Sequence, residues 1–172
     1  IGTVTARMLV ADVTGGSIAE VVRRQAITHL GEGWTTTGEL SEAGIARVAD
    51  AVCAFADEAR GLGADRTIAV ATSAARDATN GDAFIEAVER AGVRPEIISG
   101  EREGYLTFLG VTYGFPGDRI LVADVGGGST ELVVGSARPS ADGCPVSIEI
   151  ARSVDVGSRR VTELFLRSDP PT

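Results

Sequence analysis

The spacing of apolar positions along this chain alternates between strand-like and helical, and each switch predicts an element boundary. Arg7 to Val13 is apolar enough for a buried strand, Gly15-Gly16 reads as a hairpin turn, and Ile18 to Leu30 continues as a strand with a polar edge. A β-meander is therefore expected to open the fold. From Ser41 to Leu62, Ile45, Val48, Val52, Phe55, Ala56 and Ala59 fall at helical spacing, with Ser41 as N-cap and Gly61 or Gly63 as stop. A strand at Thr67 to Ala71, a helix capped by Thr79 or Asn80 and running through Ala91, and a short strand at Glu96 to Ile98 follow. That βαβα order predicts parallel pairing. Ser99 caps a further helix from Gly100 to about Val111, and the Gly114 to Asp118 segment breaks it and is the expected linker and hinge. Ile120 to Val125, Glu131 to Gly135 and Val146 to Val154 read as a second meander, Gly157 to Leu166 as a helix, and Ser168 to Pro171 as its stop.

Between the first two strands of the second meander lies the run Asp124-Val125-Gly126-Gly127-Gly128-Ser129-Thr130-Glu131. Aligned with it, Ile1 to Val10 matches Val125 to Val134 in its apolar-Gly, hydroxyl and apolar-run positions, so a strand-turn-strand unit is used twice. Glycines leave backbone N–H groups unobstructed, so that successive amides can point at one anion. Three in a row exceed what a hairpin turn needs. The pair of turns therefore reads as a two-part phosphate clamp. Gly2, Thr3, Val4, Thr5 and Arg7 form one half, and Gly126, Gly127, Gly128, Ser129 and Thr130 the other. Asp124 and Glu131 are hard oxygen ligands of the kind Mg²⁺ or Mn²⁺ uses while also holding substrate phosphates.

Composition narrows the chemistry. The 172 residues are 44% apolar, enough for a packed core, in one domain or two small ones. All 16 basic residues are arginine. Without lysine there is no Walker A loop, no Schiff-base cofactor and no protein-kinase core. The single histidine, His29, falls in a run reading as strand and excludes an HExxH site. Cys53 and Cys144 lack metal or disulfide spacing and read as packing residues. A net charge of -8 without a basic run argues against nucleic-acid partners, and no apolar stretch approaches membrane-span length. A soluble cytoplasmic protein is the expectation, with metal helping to offset repulsion of a polyanionic substrate.

Five motifs occur in order along the chain: Asp124 to Glu131, Ala71 to Asn80 (ATSAARDATN), Ile97 to Glu103 (IISGERE), Phe108 to Val111 and Ser168 to Thr172. Together they resemble the Ppx/GppA family of exopolyphosphatases and guanosine pentaphosphate phosphohydrolases. The resemblance implies an α/β, actin-like (ribonuclease H-like) ATPase fold, with metal and phosphate held in a cleft between two related domains. It places a βββαβαβα domain at residues 1–117 and the start of a second domain at 118–172. A homodimer is expected. Glu103 is similar to the family's catalytic glutamate, which activates the attacking water. On residue physics alone, Glu101 and Glu103 are equally well placed in a helix first turn, and the family register selects Glu103. Arg76 reads either as a bidentate phosphate ligand or as a partner of Asp77, and in the family this arginine faces the cleft.

Two departures stand out. Val4 replaces an amide side chain of the family's first phosphate loop, and the aspartate expected before Ile1, on a central strand, is absent from this sequence. The chain is expected to be a portion of a longer protein. Phosphoanhydride hydrolysis of polyphosphate or guanosine pentaphosphate is the leading expectation. A noncatalytic polyphosphate or alarmone sensor and an actin-like-fold ATPase or phosphotransferase are the rivals.

Overall fold

The computed structural model describes residues 1–138, 145–166 and 168. Strands β1 (Thr5–Thr14) and β2 (Ser17–Ile27) form an antiparallel hairpin, turned by Gly15 and Gly16 at φ 57° and 82°. The opening is thus two strands, where βββ was expected. The second strand stops at Ile27, and His29 lies beyond it with a left-handed φ of 48°, not in a strand. The cause is long-range: the N–H groups of both Thr28 and His29 donate to the Val4 carbonyl, which a continuing strand does not permit.

A short helix α1 (Trp34–Thr37), unforeseen in the sequence, precedes α2 (Glu42–Gly61). Ser41 caps α2 as expected, its hydroxyl accepting from the Gly44 N–H. Strand β3 (Ala69–Ala71) leads into α3 (Ser73–Asp77), then α4 (Gly81–Arg90) and β4 (Pro95–Ile97). β3 and β4 pair in parallel, as the βαβα order predicts. Within the ATSAARDATN motif, Thr72 stands at the N-cap and Ser73 begins the five-residue helix α3, an element not expected from the sequence. Asn80 does not cap α4 with its side chain; its amide exchanges two hydrogen bonds with the backbone of Leu40.

Helix α5 (Gly100–Gly114) has the expected Ser99 cap but runs past Val111. Strand β5 starts at Gly117, so only Phe115 and Pro116 separate it from α5. β5 (Gly117–Val125), β6 (Thr130–Ala137) and β7 (Val146–Val154) form the expected antiparallel meander, followed by α6 (Ser158–Phe165). The stop at Ser168 to Pro171 and Cys144 lie largely or wholly outside the described residues. Cys53 is exposed on α2, not a packing residue.

One buried cluster joins Leu30, Trp34, Val48, Phe84 and Val88; a second joins Phe108 of α5 to Val122 and Val133 of the β5–β7 sheet. No described helix is long and apolar enough to cross a membrane. Among the described residues β1 pairs only with β2, and β3 only with β4. Between them lies a groove of about 890 Å³, walled by Ala6 to Thr14 and by Thr67 to Val70, with Val52, Phe55 and Ala59 of α2 contributing. At its end Ile1 adds one parallel rung to β3: its nitrogen donates to the Val70 carbonyl (2.6 Å), and the Thr72 N–H donates to its carbonyl (3.2 Å).

Candidate active site

The two glycine turns share a backbone bond in the register of the sequence repeat. The Gly2 N–H donates to the Thr5 carbonyl at 3.0 Å, and the Gly126 N–H to the Ser129 carbonyl at 2.9 Å. The turns also touch. A Cβ at Gly127 would lie 2.8 Å from Val4 Cγ2 and 3.1 Å from Thr3 Cβ, and one at Gly128 would collide with the hydroxyls of Ser73 and Thr3. Glycine is required there by close approach. Thr3 and Ser129 are buried, and the Thr130 hydroxyl donates to the Val156 carbonyl at 2.5 Å. Arg7 stands apart: it is exposed on β1 opposite Gln25 and lines the groove.

Carbonyl anchoring sets the direction of the amides. Thr3 O accepts from Gly31 N–H, and Val4 O from Thr28 and His29. In the second turn Gly126 O accepts from Ser158 N–H, and Gly127 O from the N–H groups of Arg159 and Arg160. In a planar trans peptide the next N–H points opposite to the carbonyl. The turns therefore keep their carbonyls on the supporting segments and their N–H groups on the other side.

Glu103 lies in the first turn of α5, where the helix dipole favours a carboxylate. Its Oε2 is 3.6 Å from Arg76 Nη1, within ion-pair range but beyond a hydrogen bond, and that buried oxygen has no hydrogen-bond partner. Burial, then the charge of Glu131, pushes its carboxyl above the usual glutamate range; Asp124 adds to this, while the Thr72 hydroxyl and Arg76 oppose it. Glu101 is exposed, and hydrogen bonds to its own backbone N–H and to Ser99 lower its pKa. The two glutamates of one helix turn are thus set apart by environment. Arg76 also reaches Asp77 (Nε to Oδ1, 3.3 Å) and the Ile98 carbonyl (3.2 Å), so of its two sequence readings the pair with Asp77 is present.

Asp124 and Glu131 are directly opposite in the β5–β6 ladder, which puts both on one sheet face, against α5. Asp124 accepts from Thr107 Oγ1 at 3.0 Å. Glu131, only 2% exposed, accepts from Ser153 Oγ at 2.8 Å. Two facing carboxylates with hydroxyl donors as their hydrogen-bond partners form an under-compensated set of hard oxygens, which suits a divalent cation shared with phosphate. Among the described residues no three carboxylates converge closely enough to enclose an ion by themselves.

Sequence reasoning missed the residues that fasten these parts together: Asp77 as a shared acceptor, Arg160, Trp34 and Ser73. Their signal was weak, because each acts across long sequence separations.

Comparison with known proteins shows what the whole chain is similar to. The profile of the Ppx/GppA phosphatase family matches residues 9–172. Exopolyphosphatase 2 of Mycobacterium tuberculosis is 37% identical over 183 residues, covering 99% of this chain and 54% of that protein. The chain thus spans about half the length of this curated relative. The Aquifex aeolicus Ppx/GppA structure superposes with a TM-score of 0.78 at 33% identity, over 100% of this chain and 54% of that one. An exopolyphosphatase from Cytophaga hutchinsonii gives 0.88 at 27% identity, over 100% and 54%. The chain has the α/β actin-like, ribonuclease H-like fold expected from its sequence.

Proposed function

The chain belongs to the Ppx/GppA phosphatase family, and on that premise we propose that it carries the hydrolytic site of an exopolyphosphatase-type enzyme. Such an enzyme releases terminal phosphate from inorganic polyphosphate and, by the same chemistry, from guanosine pentaphosphate. The observation that carries this reading is Glu103, a half-buried carboxylate with a raised pKa beside an arginine. A base whose pKa is moved toward the working pH is suited to take a proton from water.

In the proposed step Glu103 accepts a proton as water oxygen attacks the terminal phosphorus. The bond to the bridging oxygen breaks, and the shortened chain leaves with that oxygen. Arg76 holds non-bridging oxygens, and the amides of both glycine turns meet the charge that builds on them. Asp124 and Glu131 would hold Mg²⁺ or Mn²⁺, which when bound supplies further charge neutralisation at the phosphates.

The test is phosphate release by the full-length protein from polyphosphate, guanosine pentaphosphate and ATP. Turnover of the first two, lost in Glu103→Gln, supports the reading. Preference for ATP would favour the phosphotransferase or ATPase rival, and binding without turnover the sensor.

A further inference from the structure

The side chain of Arg160 meets four separate segments of the fold. Its Nε donates to the Gly128 carbonyl at 2.8 Å, and its Nη2 to Asp77 Oδ2 at 2.8 Å. Its guanidinium lies 4.7 Å from the Trp34 ring centroid, and Asp155 sits 3.5 Å from Nη2. Only 19% of the side chain is exposed. A planar fork with fixed donors can satisfy a carbonyl and a carboxylate at once, and lysine cannot reproduce this.

Two consequences follow from those bonds. The Gly128 carbonyl is the third in succession to be held by α6 and its side chain, after those of Gly126 and Gly127. By peptide geometry the N–H groups of Gly127, Gly128 and Ser129 then all face away from α6. Among the described residues none of those three N–H groups donates to another group, so the row of donors remains for an anion. Asp77, meanwhile, is shared: Arg160 takes Oδ2 and Arg76 lies 3.3 Å from Oδ1. A continuous path runs from Glu103 through Arg76, Asp77 and Arg160 to Gly128.

We propose that Arg160 is a positioning residue of this site: it orients the Gly127 to Ser129 amides and, through Asp77, sets them in register with Arg76. This rests on the phosphatase reading for its substrate, but not for its geometry. The nearest alternative is that Arg160 merely docks α6. Glu163 separates the two roles, because it fastens the same helix to α1, accepting from the Gly33 N–H and the Thr35 hydroxyl, without touching the glycine turn.

In the full-length protein, Arg160→Ala and Arg160→Lys should each raise the KM for polyphosphate tenfold or more, with a smaller change in kcat. Free guanidinium should partly restore the alanine variant. Glu163→Ala should lower the melting temperature at least as much and leave KM unchanged. A readout independent of turnover is titration with inorganic phosphate followed by amide NMR. The Gly127, Gly128 and Ser129 resonances should shift in the unmodified protein and lose that response in Arg160→Ala.

If those resonances respond and depend on Arg160 while polyphosphate is not hydrolysed, the positioning role stands and the phosphatase reading falls. If polyphosphate is hydrolysed but KM and the amide response are unchanged in Arg160→Ala, or Glu163→Ala matches it, the positioning role is refuted. Absence of any phosphate response at the three amides in the unmodified protein also refutes it.

Discussion

Gly157→Ala should loosen the second glycine turn from the side of α6. A Cβ on Gly157 would lie 2.5 Å from both C and O of Gly127, and 2.6 Å from C of Gly128. Comfortable carbon contacts begin near about 3.5 Å, so the two backbones must part by about 1 Å. The obstructing atoms are backbone, and no rotamer change relieves them. Overpacking costs about 1–3 kcal/mol, and this position belongs at the upper end. Gly157 has φ -145° and ψ 158°, extended values open to alanine, so there is no added backbone strain. Alanine also restricts the unfolded chain, which offsets about 0.4–1 kcal/mol.

The net expectation is a loss of about 2 kcal/mol, equivalent to a fall of about 4–8 °C in Tm for a chain of this size. The matched control is Gly110→Ala, within α5, where a Cβ would meet nothing within 4 Å. Helix propensity alone should stabilise that variant by about 0.5–1 kcal/mol. Thermal melts followed by circular dichroism in one buffer measure both. Because Gly157 presses on the turn proposed to grip phosphate, its replacement should also raise the KM for polyphosphate, whereas Gly110→Ala should not. A Gly157→Ala protein melting at or above the parent would refute the packing described at that turn.

Glu103→Gln should reduce polyphosphate turnover by about 10²–10⁴-fold with little loss of phosphate binding, and Glu101→Gln should do far less; equal effects in a phosphate-release assay would defeat the assignment. The raised pKa of Glu103 also makes a stability prediction. The folded state disfavours its charged form, so its contribution is present below the ordinary glutamate value and lost as pH rises through the folded value. Glu103→Gln should therefore melt higher than the parent at neutral pH, with the gap closing below about pH 4; a constant gap across pH would contradict it. Among the described residues β1 has a strand partner on one edge only and β3 has only a single rung from Ile1 on its second edge, which should make the 172-residue chain self-associate when expressed alone. Light scattering after size exclusion checks this, and a monodisperse, cooperatively melting monomer would refute it.

Much of the fold was legible because its signals are local. Ser41 and Ser99 precede their helices and cap them through the third N–H beyond, and Gly15-Gly16 turns a hairpin that needs two positive φ values. The errors came where a long-range bond overrode a local preference. Thr28 and His29 carry a strand-like pattern but are bent round the Val4 carbonyl, and Asn80 gives up its capping role to hold Leu40. α3 was missed because its five residues are too few to display a period. At the candidate site, the glycines announced themselves, and Glu103 was separable from Glu101 only by family register. The structure adds the physical difference: Glu103 is withdrawn from water and, second to that, approached by Glu131 and Asp124 from the β5–β6 sheet, whereas Glu101 is exposed.

The repeat itself shows why glycine turns are readable and their function only partly so. Gly2 to Thr5 and Gly126 to Ser129 close with the same backbone bond, and that much follows from the repeated sequence. What makes such a turn present donors is the capture of its carbonyls, and here the two copies use different segments. The first is held by the N–H groups of Thr28, His29 and Gly31, at the end of β2. The second is held by the first turn of α6 and by the guanidinium of Arg160. α1 begins at the position that matches the start of α6 in the repeat but does not hold the first turn, and each support lies about 25 to 33 residues downstream of its turn. The left-handed His29 and the charged, largely buried Arg160 are therefore answers to one requirement, that a carbonyl be taken so that the following amide is left free. A glycine run found in sequence marks where an anion cradle can form; the segments that accept its carbonyls decide which way it faces.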